Sequence, residues 1–283
     1  MVQNSGSIVL TALHNDENKI IGFSKVTRDL TERKIVEDKM KEYLIELEKR
    51  NKELEQFVYV ASHDLQEPLR KIQTFADLVE KNLDNPLYIK KYFEKINTSA
   101  SRMADLIQSV LNYSRLTNLS EEKSDTDLDA ILKNVIDDFE LVIQEKGAMI
   151  SCDRLPVIKG NPFQVNQLFF NLISNALKFS DKNPIIHIEF KVRKENEISD
   201  LTSLIPISDQ YAEISVRDNG IGFDQQYESV IFSMFQRLHG RHEYAGTGIG
   251  LAICQKIMEN HHGFIRAEGK EGKGATFYLY FPL

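Results

Sequence analysis

Few cysteines and no long apolar run are the first features of this 283-residue sequence. Cys152 and Cys254 lie far apart, so no disulfide framework is implied and a reducing compartment fits. No segment approaches the ~18 apolar residues that cross a bilayer, and the N-terminus lacks the charged-then-apolar pattern of a signal peptide. We therefore expect a cytoplasmic chain without a membrane segment, or the cytosolic part of a larger or membrane-associated receptor.

An excess of basic residues is also absent. The formal net charge is −7, whereas a nucleic-acid-binding protein usually presents a basic face. The hydrophobic fraction of 42% and the charged fraction of 27% are those of an ordinary globular protein, and the length suffices for two domains. We expect a globular protein that does not bind nucleic acid.

Residues 6–30 alternate apolar and polar side chains, as strands do. The polar turn NDENK separates the runs SIVLTALH and IIGFSKVTRD, which predicts one β-hairpin. A single hairpin is too small to form its own core. We interpret it as the closing edge of something larger.

A helical pattern begins at Thr31. Its apolar residues recur in steps of three and four with charged residues between them, which is a heptad seam. The seam positions are Val36, Met40, Tyr43, Leu47, Leu54, Phe57 and Ala61. We predict a coiled-coil linker over residues 31–57; a single solvated amphipathic helix is the alternative, because the seam is short.

The helical pattern continues to about Leu83, breaks at the DNP of residues 84–86 and resumes from Leu87 to about Leu116. Two long helices with so short a break predict an antiparallel helical hairpin. Its apolar stripe has nothing to cover it, so we expect residues 58–117 to pair with a second copy in a four-helix bundle.

The segment ASHDLQEPLRKI, in the first of these helices, contains His63, Asp64 and Pro68. His63 lies two residues past the seam position Ala61, so its side chain should point off the packed face. Pro68 has no N–H and its ring collides with the carbonyl of Asp64, so the helix should bend there. We interpret this bend as a hinge that lets one helix adopt two packings.

Beyond a polar stretch at 117–127, which predicts a linker, helices and short strands are mixed. Helices are expected at about 127–146, 162–179 and 249–260, strands near 149–153, 156–159, 185–193 and 211–217, and a hairpin at 264–281. The run ENEISDLTSLIPISDQ predicts a surface excursion between two strands. Residues 124–283 are therefore expected to form an α+β sandwich.

Three polar residues share one face of the predicted helix at 162–179. Asn171 and Asn175 are four residues apart and Lys178 follows three later, which places two amides and an ammonium together. Mg²⁺ takes oxygen ligands and accompanies phosphates, and lysine serves as a point charge on phosphate. By itself, such a trio is more often a solvated polar face.

The segment RDNGIGF places Asp218 ahead of Gly220 and Gly222, directly after a strand. Glycines let a backbone pass close to a flat ligand, and an Asp carboxylate accepts a hydrogen bond from an exocyclic amine such as that of adenine. A simple Asn-Gly turn is the alternative.

The segment AGTGIGLAI carries Gly246, Gly248 and Gly250 into a helix. Such a loop offers N–H groups and a positive helix end to phosphate. It is neither a Rossmann fingerprint nor a P-loop, so alone it is a weak signal.

The order and spacing of these segments form a joint pattern. It consists of SHDLQEPL on a coiled-coil helix, the Asn-x-x-x-Asn-Ala helix, DNGIGF about forty residues later and GTGIGL about twenty-five beyond that. From residue 31 to 283 the chain resembles the sensor histidine kinases of two-component signalling, with an H-box like that of bacteriophytochromes. The strands before it, ending in TRDLTERK, resemble the exit of a PAS sensor domain, so residues 1–30 are interpreted as its C-terminal hairpin.

The resemblance implies a kinase that uses ATP to phosphorylate His63 and passes the phosphoryl group to an aspartate of a response regulator. It implies a homodimer through the dimerisation and phosphotransfer domain at 58–117. It also implies an ATP-binding domain at 124–283 with the α/β sandwich fold of the GHKL (Bergerat) type. ATP and Mg²⁺ are the expected cofactors.

The resemblance also assigns roles to single residues. Asp64 would orient the phosphoacceptor His63, and FSMFQRLHGRHEY would be the lid over the nucleotide. The other roles are Asn175 for Mg²⁺, Asn171 and Lys178 for metal and phosphates, Asp218 for the adenine amine, Gly220 and Gly222 for the ring, Arg237 for the γ-phosphate, and Gly246, Gly248 and Gly250 for the lid hinge and phosphates.

Two positions depart from the family pattern. Glu67 stands four residues after His63, where relatives that also remove the phosphate usually carry Thr or Asn, which puts phosphatase activity in doubt. Asn171 stands where ATP-hydrolysing relatives carry a Glu base. Because Asn cannot serve as a base, transfer to His63 is favoured over hydrolysis.

Two other functions stay open at this point. A catalytically silent nucleotide-binding signalling scaffold is the main alternative, although it has no need of the nucleotide motifs and the His63–Asp64 pair together. An ATPase of the gyrase or chaperone type is the other, and Asn171 speaks against it. The histidines His239, His242, His261 and His262 match no standard zinc spacing, so surface or lid histidines are expected there.

Overall fold

A computed structural model describes residues 6–16, 18–29, 31–118, 123–180, 183–198, 208–238, 244 and 246–283. The chain divides into two compact units, Met1–Val60 and Ala61–Leu283. Among the described residues, no helix combines the length and apolarity that a bilayer span requires.

The first unit contains the predicted β-hairpin. Strands β1 (Gly6–His14) and β2 (Ile20–Asp29) pair antiparallel, and helix α1 (Thr31–Glu80) begins after them. Apolar side chains of the hairpin are exposed, Phe23 at 65% among them, which fits a fragment that lacks its covering layer. The PAS assignment stays a prediction.

The heptad seam lies on α1 as expected from its spacing. The seam residues Val36, Met40, Tyr43 and Leu47 are all exposed, while the side chains of Leu54, Phe57 and Ala61 lie outside the described part. An exposed apolar stripe on a helix is what a coiled-coil partner would cover. The pairing itself stays a prediction.

The second unit begins with the helical hairpin. Helix α1 ends at Glu80, three residues before the predicted Leu83, and α2 spans Pro86–Asn118 with proline at its favoured first position. Pro68 lies inside α1. Phe75 stacks on Tyr92 across the hairpin at a centroid distance of 6.0 Å, which fixes the pairing of the two helices.

The rest of the second unit is an α+β sandwich, which confirms the predicted fold class. Its helices are α3 (Leu128–Asp138), α4 (Glu140–Lys146), α5 (Pro162–Lys178), α6 (Glu228–Ile231) and α7 (Gly250–Asn260). Its strands are β3 (Ser124–Asp127), β4 (Met149–Cys152), β5 (Val157–Gly160), β6 (Ile185–Lys194), β7 (Gln210–Asp218), β8 (Phe264–Lys270) and β9 (Gly274–Pro282). The five-stranded sheet has the order β4-β6-β7-β9-β8, and β3 pairs with β5. Within the larger sheet, only β4 and β6 are parallel.

Two boundary predictions are wrong. The helix expected at 127–146 is two helices, because Phe139 leaves the helical region at φ −98° and ψ 7°. The linker expected at 117–127 contains β3 at its end, and Asp127 caps α3 by accepting hydrogen bonds from the N–H groups of Asp129 and Ala130. The middle of that linker, 119–122, and most of the excursion, 199–207, lie outside the described residues.

The core lies between the helices and one face of the larger sheet. Helix α5 contributes Val165, Leu168, Phe169, Leu172 and Ile173, all at most 1% exposed, which pack in one cluster with buried sheet residues such as Ile214 and Leu279. Burial of these side chains stabilises α5 against the sheet. The polar face of the same helix is thereby held toward the Gly-rich loop.

The N-terminus of α5 depends on a side-chain cap. Asn161 is 8% exposed and its Oδ1 accepts a hydrogen bond from the Gln164 N–H at 3.1 Å. We expect Asn161→Ala to lower the free energy of unfolding by about 1 kcal/mol, measured by urea denaturation. Asn161→Asp keeps an acceptor and should retain most of the stability; equal losses in both variants would contradict a capping role.

Candidate functional site

A cavity of about 320 Å³ lies in the second unit, where α5, the end of β7 and the Gly-rich loop before α7 meet. Nine of its lining residues were predicted to bind nucleotide, namely Asn171, Asn175, Lys178, Asp218, Gly222, Arg237, Gly246, Gly248 and Gly250. Gly220, also predicted to bind nucleotide, is buried and is not among the described lining residues. Segments distant along the chain, such as those of Asn171 and Gly250, which are 79 residues apart, therefore converge on one space.

The polar face of α5 forms one wall. Asn171 donates a hydrogen bond from Nδ2 to the Gly250 carbonyl at 3.3 Å, and its Oδ1 accepts one from Gln167 at 3.3 Å. Lys178 lies one helical turn after Asn175, with Nζ 4.2 Å from the centroid of the Phe179 ring. Burial, and then the charge of Arg237, lower the pKa of Lys178. The helix thus brings amide groups and a partly desolvated cation to the cavity.

Asp218 stands at the end of β7, where the strand delivers its carboxylate to the cavity. Oδ1 accepts hydrogen bonds from the Gly220 N–H at 2.8 Å and the Ala275 N–H at 3.2 Å. Burial raises the pKa of Asp218, although these two backbone donors oppose the shift. One carboxylate oxygen is therefore fixed by the backbone, which aims the other.

The two glycines after Asp218 are required because other backbone segments pass very close to them. A Cβ on Gly220 would lie 2.6 Å from the Phe179 carbonyl oxygen, and Gly222 has φ +65° with the Lys270 carbonyl oxygen 2.1 Å from a Cβ position. No side chain fits either place. These glycines let the β7–α6 connection pass under the cavity floor, and only Gly222 reaches its surface.

The Gly-rich loop closes another side. Gly246 has φ +144°, and a Cβ there would lie 2.7 Å from Lys178 Nζ, while Gly248 has φ +76° and a Cβ there would lie 2.9 Å from the Phe235 backbone. Gly250, the first residue of α7, shows only ordinary contacts at 3.7 Å or more. Two of the three glycines are thus required by local geometry.

Arg237 joins the lid segment to this loop. Its guanidinium donates hydrogen bonds to the carbonyl oxygens of Gly246, at 2.8 Å, and of Tyr244. Burial and then the charge of Arg102 lower the pKa of Arg237, while the charge of Asp64 raises it. Arg237 is therefore influenced electrostatically by Asp64, the neighbour of His63 on α1. Lid residues 239–243 lie outside the described part.

An apolar wall completes the cavity, and the sequence analysis missed it. Phe179 and Tyr244 are packed with ring centroids 5.0 Å apart. The other apolar lining residues are Ile221, Phe223, Ile231, Leu238, Leu251, Ala275 and Phe277. The position of Phe179, directly after Lys178 at the end of α5, is a signal that could have identified it.

His63 and Asp64 lie next to each other on α1. The His63 Nδ1 is 3.1 Å from the Asp64 Oδ1, and the two side chains are 67% and 17% exposed. Glu67 pairs with Lys71 at 2.8 Å. A shallow surface pocket surrounds His63, lined by Gln66, Glu67, Leu69, Arg70 and Gln73. The imidazole is open to another molecule while its Nδ1 has a carboxylate partner.

The four histidines that were expected at the surface or in the lid differ in their burial. His239 and His242 lie outside the described residues, and His262 is exposed as expected. The prediction of a surface histidine is wrong for His261, which is 3% exposed. Its Nε2 accepts a hydrogen bond from the Asn161 N–H at 2.9 Å and its Nδ1 lies 2.7 Å from the Ile257 carbonyl oxygen. Burial lowers its pKa, so it is a neutral structural histidine.

Two family profiles match the chain. The profile of the His Kinase A (phospho-acceptor) domain matches residues 53–119. The profile of the histidine kinase-, DNA gyrase B- and HSP90-like ATPases matches residues 160–283. The first match contains the helical hairpin with His63, and the second contains the residues that line the cavity.

Curated relatives include two cyanobacterial proteins. Cyanobacterial phytochrome A of Nostoc sp. is 40% identical over 249 residues, which cover 87% of this chain and 31% of the relative. Phytochrome-like protein Cph1 of Synechocystis sp. is 36% identical over 240 residues, covering 84% and 30%. The chain thus spans about a third of the length of these relatives.

Solved structures share the fold. The histidine kinase ThkA in complex with the response regulator TrrA has a TM-score of 0.60 at 22% identity, covering 97% of this chain and 74% of that one. Full-length ShkA in complex with AMPPNP has a TM-score of 0.52 at 21% identity, covering 81% and 45%. At these identities the likeness concerns the arrangement of helices and strands.

Proposed function

Because this chain belongs to the histidine kinases, with a phospho-acceptor region followed by an ATPase domain, we propose that it phosphorylates its own His63 with ATP. The phosphoryl group then passes to an aspartate of a response regulator. The observation that carries the proposal is a cavity with nucleotide-binding chemistry that lies in the same compact unit as an exposed histidine with a carboxylate partner. We further propose a coiled-coil linker at 31–57, a phosphotransfer domain at 58–117 and an ATP-binding domain at 124–283.

The adenine end of the nucleotide fits the apolar wall and Asp218. Phe179, Tyr244 and Ile221 offer apolar surface to a flat ring. The Asp218 carboxylate, fixed by the N–H groups of Gly220 and Ala275, can accept a hydrogen bond from an exocyclic amine. A buried acceptor selects strongly for a ligand that donates to it.

The phosphate end fits the cations and the Gly-rich loop. Lys178 and Arg237 both line the cavity, and Asp218 is the one carboxylate among the described lining residues, so an anionic ligand is favoured there. Asn175 projects from α5 on the same face and would offer its amide oxygen to Mg²⁺, with Asn171 and Lys178 beside it. When bound, Mg²⁺ offsets charge on the phosphates.

The reaction needs a neutral imidazole with a free Nε2. The Nδ1–H of His63 donates to Asp64 across 3.1 Å, which fixes this tautomer and leaves the Nε2 lone pair for attack. Nε2 bonds to the γ-phosphorus in line, the bond from phosphorus to the bridging oxygen breaks, and ADP leaves with that electron pair. Asp64 stabilises the imidazolium until its Nδ1 proton is lost to the carboxylate or to water.

The second transfer returns His63 to its starting state. A carboxylate oxygen of the regulator's aspartate attacks the phosphorus and the P–N bond breaks. The electron pair returns to Nε2 while Nδ1 regains its proton from Asp64 or water, which restores the neutral imidazole. The exposed His63 and its shallow surface pocket leave room for such a partner. Asn171 has no basic group to activate water, which favours these transfers over hydrolysis of ATP.

We also propose that the chain acts as a homodimer through the helical hairpin. Large apolar side chains remain exposed along both helices of the hairpin, including Leu69, Leu87, Phe93, Ile107 and Leu111. A second hairpin would bury this stripe in a four-helix bundle. A silent nucleotide-binding scaffold, by contrast, would have no use for a carboxylate-oriented histidine in that surface.

The test of the proposed function is incubation of the chain with γ-labelled ATP and Mg²⁺. We expect a protein-bound label that is labile in acid and stable in base, and that leaves the chain when a receiver domain with its aspartate is added. A chain that binds ATP without gaining label would overturn the proposal in favour of the scaffold.

The pH dependence of ATP binding should reveal Lys178. Burial and Arg237 lower its pKa below the ordinary 10.5, so its charge and its phosphate contact are lost as pH rises through that lowered value. ATP affinity should therefore begin to fall at a lower pH than it would with an ordinary lysine of pKa 10.5, measured as Kd against pH with labelled ATP. Lys178→Arg should remove this alkaline fall, and Arg237→Gln should shift it to higher pH. An unchanged profile in Lys178→Arg would exclude Lys178 as its source.

A further inference from the structure

Asn260 is the last residue of α7, the helix whose first residue, Gly250, lines the cavity. Its side chain does not line the cavity and contacts two other helices. Nδ2 donates one hydrogen bond to the Leu116 carbonyl oxygen at 2.9 Å and another to the Gln164 Oε1 at 3.3 Å. One amide thus joins the ends of α2, α5 and α7.

The Leu116 carbonyl belongs to the last turn of α2, which ends at Asn118. The final carbonyls of a helix have no N–H partner within it and need one from elsewhere. Asn260 supplies that donor from a residue 144 positions later in the chain. The ATPase domain therefore caps the helical hairpin at its C-terminal end.

The two residues that accept hydrogen bonds from the Asn260 amide are buried. Leu116 is 5% exposed and Gln164 is 3% exposed, so both acceptors are in place within the packed interior. The next residue, His261, accepts the Asn161 N–H at 2.9 Å, which ties the end of α7 to the start of α5. Val110 and Tyr113 of α2 pack against the core of the ATPase domain.

The opposite end of α7 also meets α2. Ser109 Oγ lies 3.4 Å from Thr247 Oγ1, in the Gly-rich loop that borders the cavity. Near the same end of the cavity, Arg237 interacts with the charges of Arg102 and Asp64. The contact between α2 and α7 thus runs from the cap at Leu116 to the Gly-rich loop that borders the cavity.

We propose that Asn260 is a positioning residue for phosphoryl transfer to His63. Its amide fixes α2 against α7 and thereby holds the nucleotide cavity in reach of the histidine, without contacting the nucleotide. The inference rests on the proposed kinase function. Because transfer is sensitive to displacements of about 1 Å, a looser contact between α2 and α7 should slow the chemical step while leaving ATP binding intact.

The chemistry of the amide makes the proposal specific. The contact with Leu116 requires a hydrogen-bond donor, and an ionised carboxylate is an acceptor only. Asn260→Asp therefore keeps the size of the side chain but sets a negative oxygen against the Leu116 carbonyl. Glu259→Gln makes the reverse exchange of carboxylate and amide one residue earlier, at a side chain 55% exposed whose contact is the surface ion pair with Lys256. It is the matched control.

The experiment uses the full chain, and compares wild type, Asn260→Asp, Asn260→Gln and Glu259→Gln. Two quantities are measured: Kd for labelled ATP, and the single-turnover rate of acid-labile labelling at saturating ATP. For Asn260→Asp we expect a rate about tenfold lower with Kd within about twofold of wild type. Asn260→Gln, which keeps the donor, should recover part of the rate, and Glu259→Gln should match wild type.

An unchanged rate in Asn260→Asp would overturn the proposal. A faster rate would also overturn it, because the contact between α2 and α7 would then slow phosphoryl transfer. A parallel rise in Kd would also overturn it, since Asn260 would then act through the nucleotide site itself. A wild-type chain that gains no label would instead reject the kinase function, so the two failures are distinguishable.

Discussion

His63→Gln should abolish labelling of the chain by γ-labelled ATP, leaving only background counts. Glutamine is close in size to histidine but has no ring nitrogen with a lone pair that can bond to phosphorus. His63 is absent from the described cavity lining, so the Kd for ATP should stay within about twofold of wild type. Full binding without label would isolate the phosphoacceptor role from nucleotide recognition.

The matched control for this variant is His262→Gln, because His262 is another exposed histidine in the second unit. It should label like wild type. His261 is unsuitable, since its ring is buried and bonded to Asn161 and Ile257, and its loss would disturb the fold. Acid-labile label that persists in His63→Gln would place the phosphoacceptor elsewhere.

Asp218→Asn should weaken ATP binding by about 2 kcal/mol, roughly 30-fold in Kd. The amide oxygen can still accept from the N–H groups of Gly220 and Ala275, so the loop should keep its shape. The group turned to the ligand then becomes an NH2 donor facing the amine of adenine, and two donors cannot bond. Kd is measured by titration with a fluorescent ATP analogue and by competition with ATP.

The same exchange should change which nucleotide the site prefers. Inosine triphosphate carries a carbonyl oxygen where ATP carries the amine, and an amide donor can bond to it. We expect Asp218→Asn to bind this nucleotide at least as well as ATP, whereas wild type prefers ATP. Asp138→Asn, at an exposed residue of α3, is the control. An equal loss of affinity for both nucleotides would mean that Asp218 acts only on loop structure.

Most of the proposed nucleotide-binding residues could be found from the sequence because their spacing is local. Asn171, Asn175 and Lys178 follow helical periodicity, and a helix imposes a common face on them whatever surrounds it. Gly246 and Gly248 are predictable because their positive φ excludes other residues. The motif did not predict the place of Gly220. This glycine lets the backbone approach Phe179 and is not among the described residues that line the cavity.

Other features could not be read from spacing. The helix expected at 127–146 breaks at Phe139, whose ring packs against Phe170 of α5 at 4.8 Å, so tertiary contact outweighs the helical pattern. His261 looked like a surface residue because its burial comes from the Asn161 backbone and from Phe281 in β9. In both cases the deciding partner is distant along the chain.

The sequence by itself determined the chemistry of this protein: a histidine beside a carboxylate, two amides and a lysine on one helix face, and glycines where the backbone must pass closely. Those properties lie within single segments and follow from helix periodicity and allowed backbone angles. Only the tertiary structure decided which apolar side chains wall the cavity, which histidine is buried, and that Asn260 caps the helix ending near Leu116. Such contacts depend on packing between segments that are distant along the chain, 144 residues in the case of Leu116 and Asn260, and short-range patterns do not encode the distances between them.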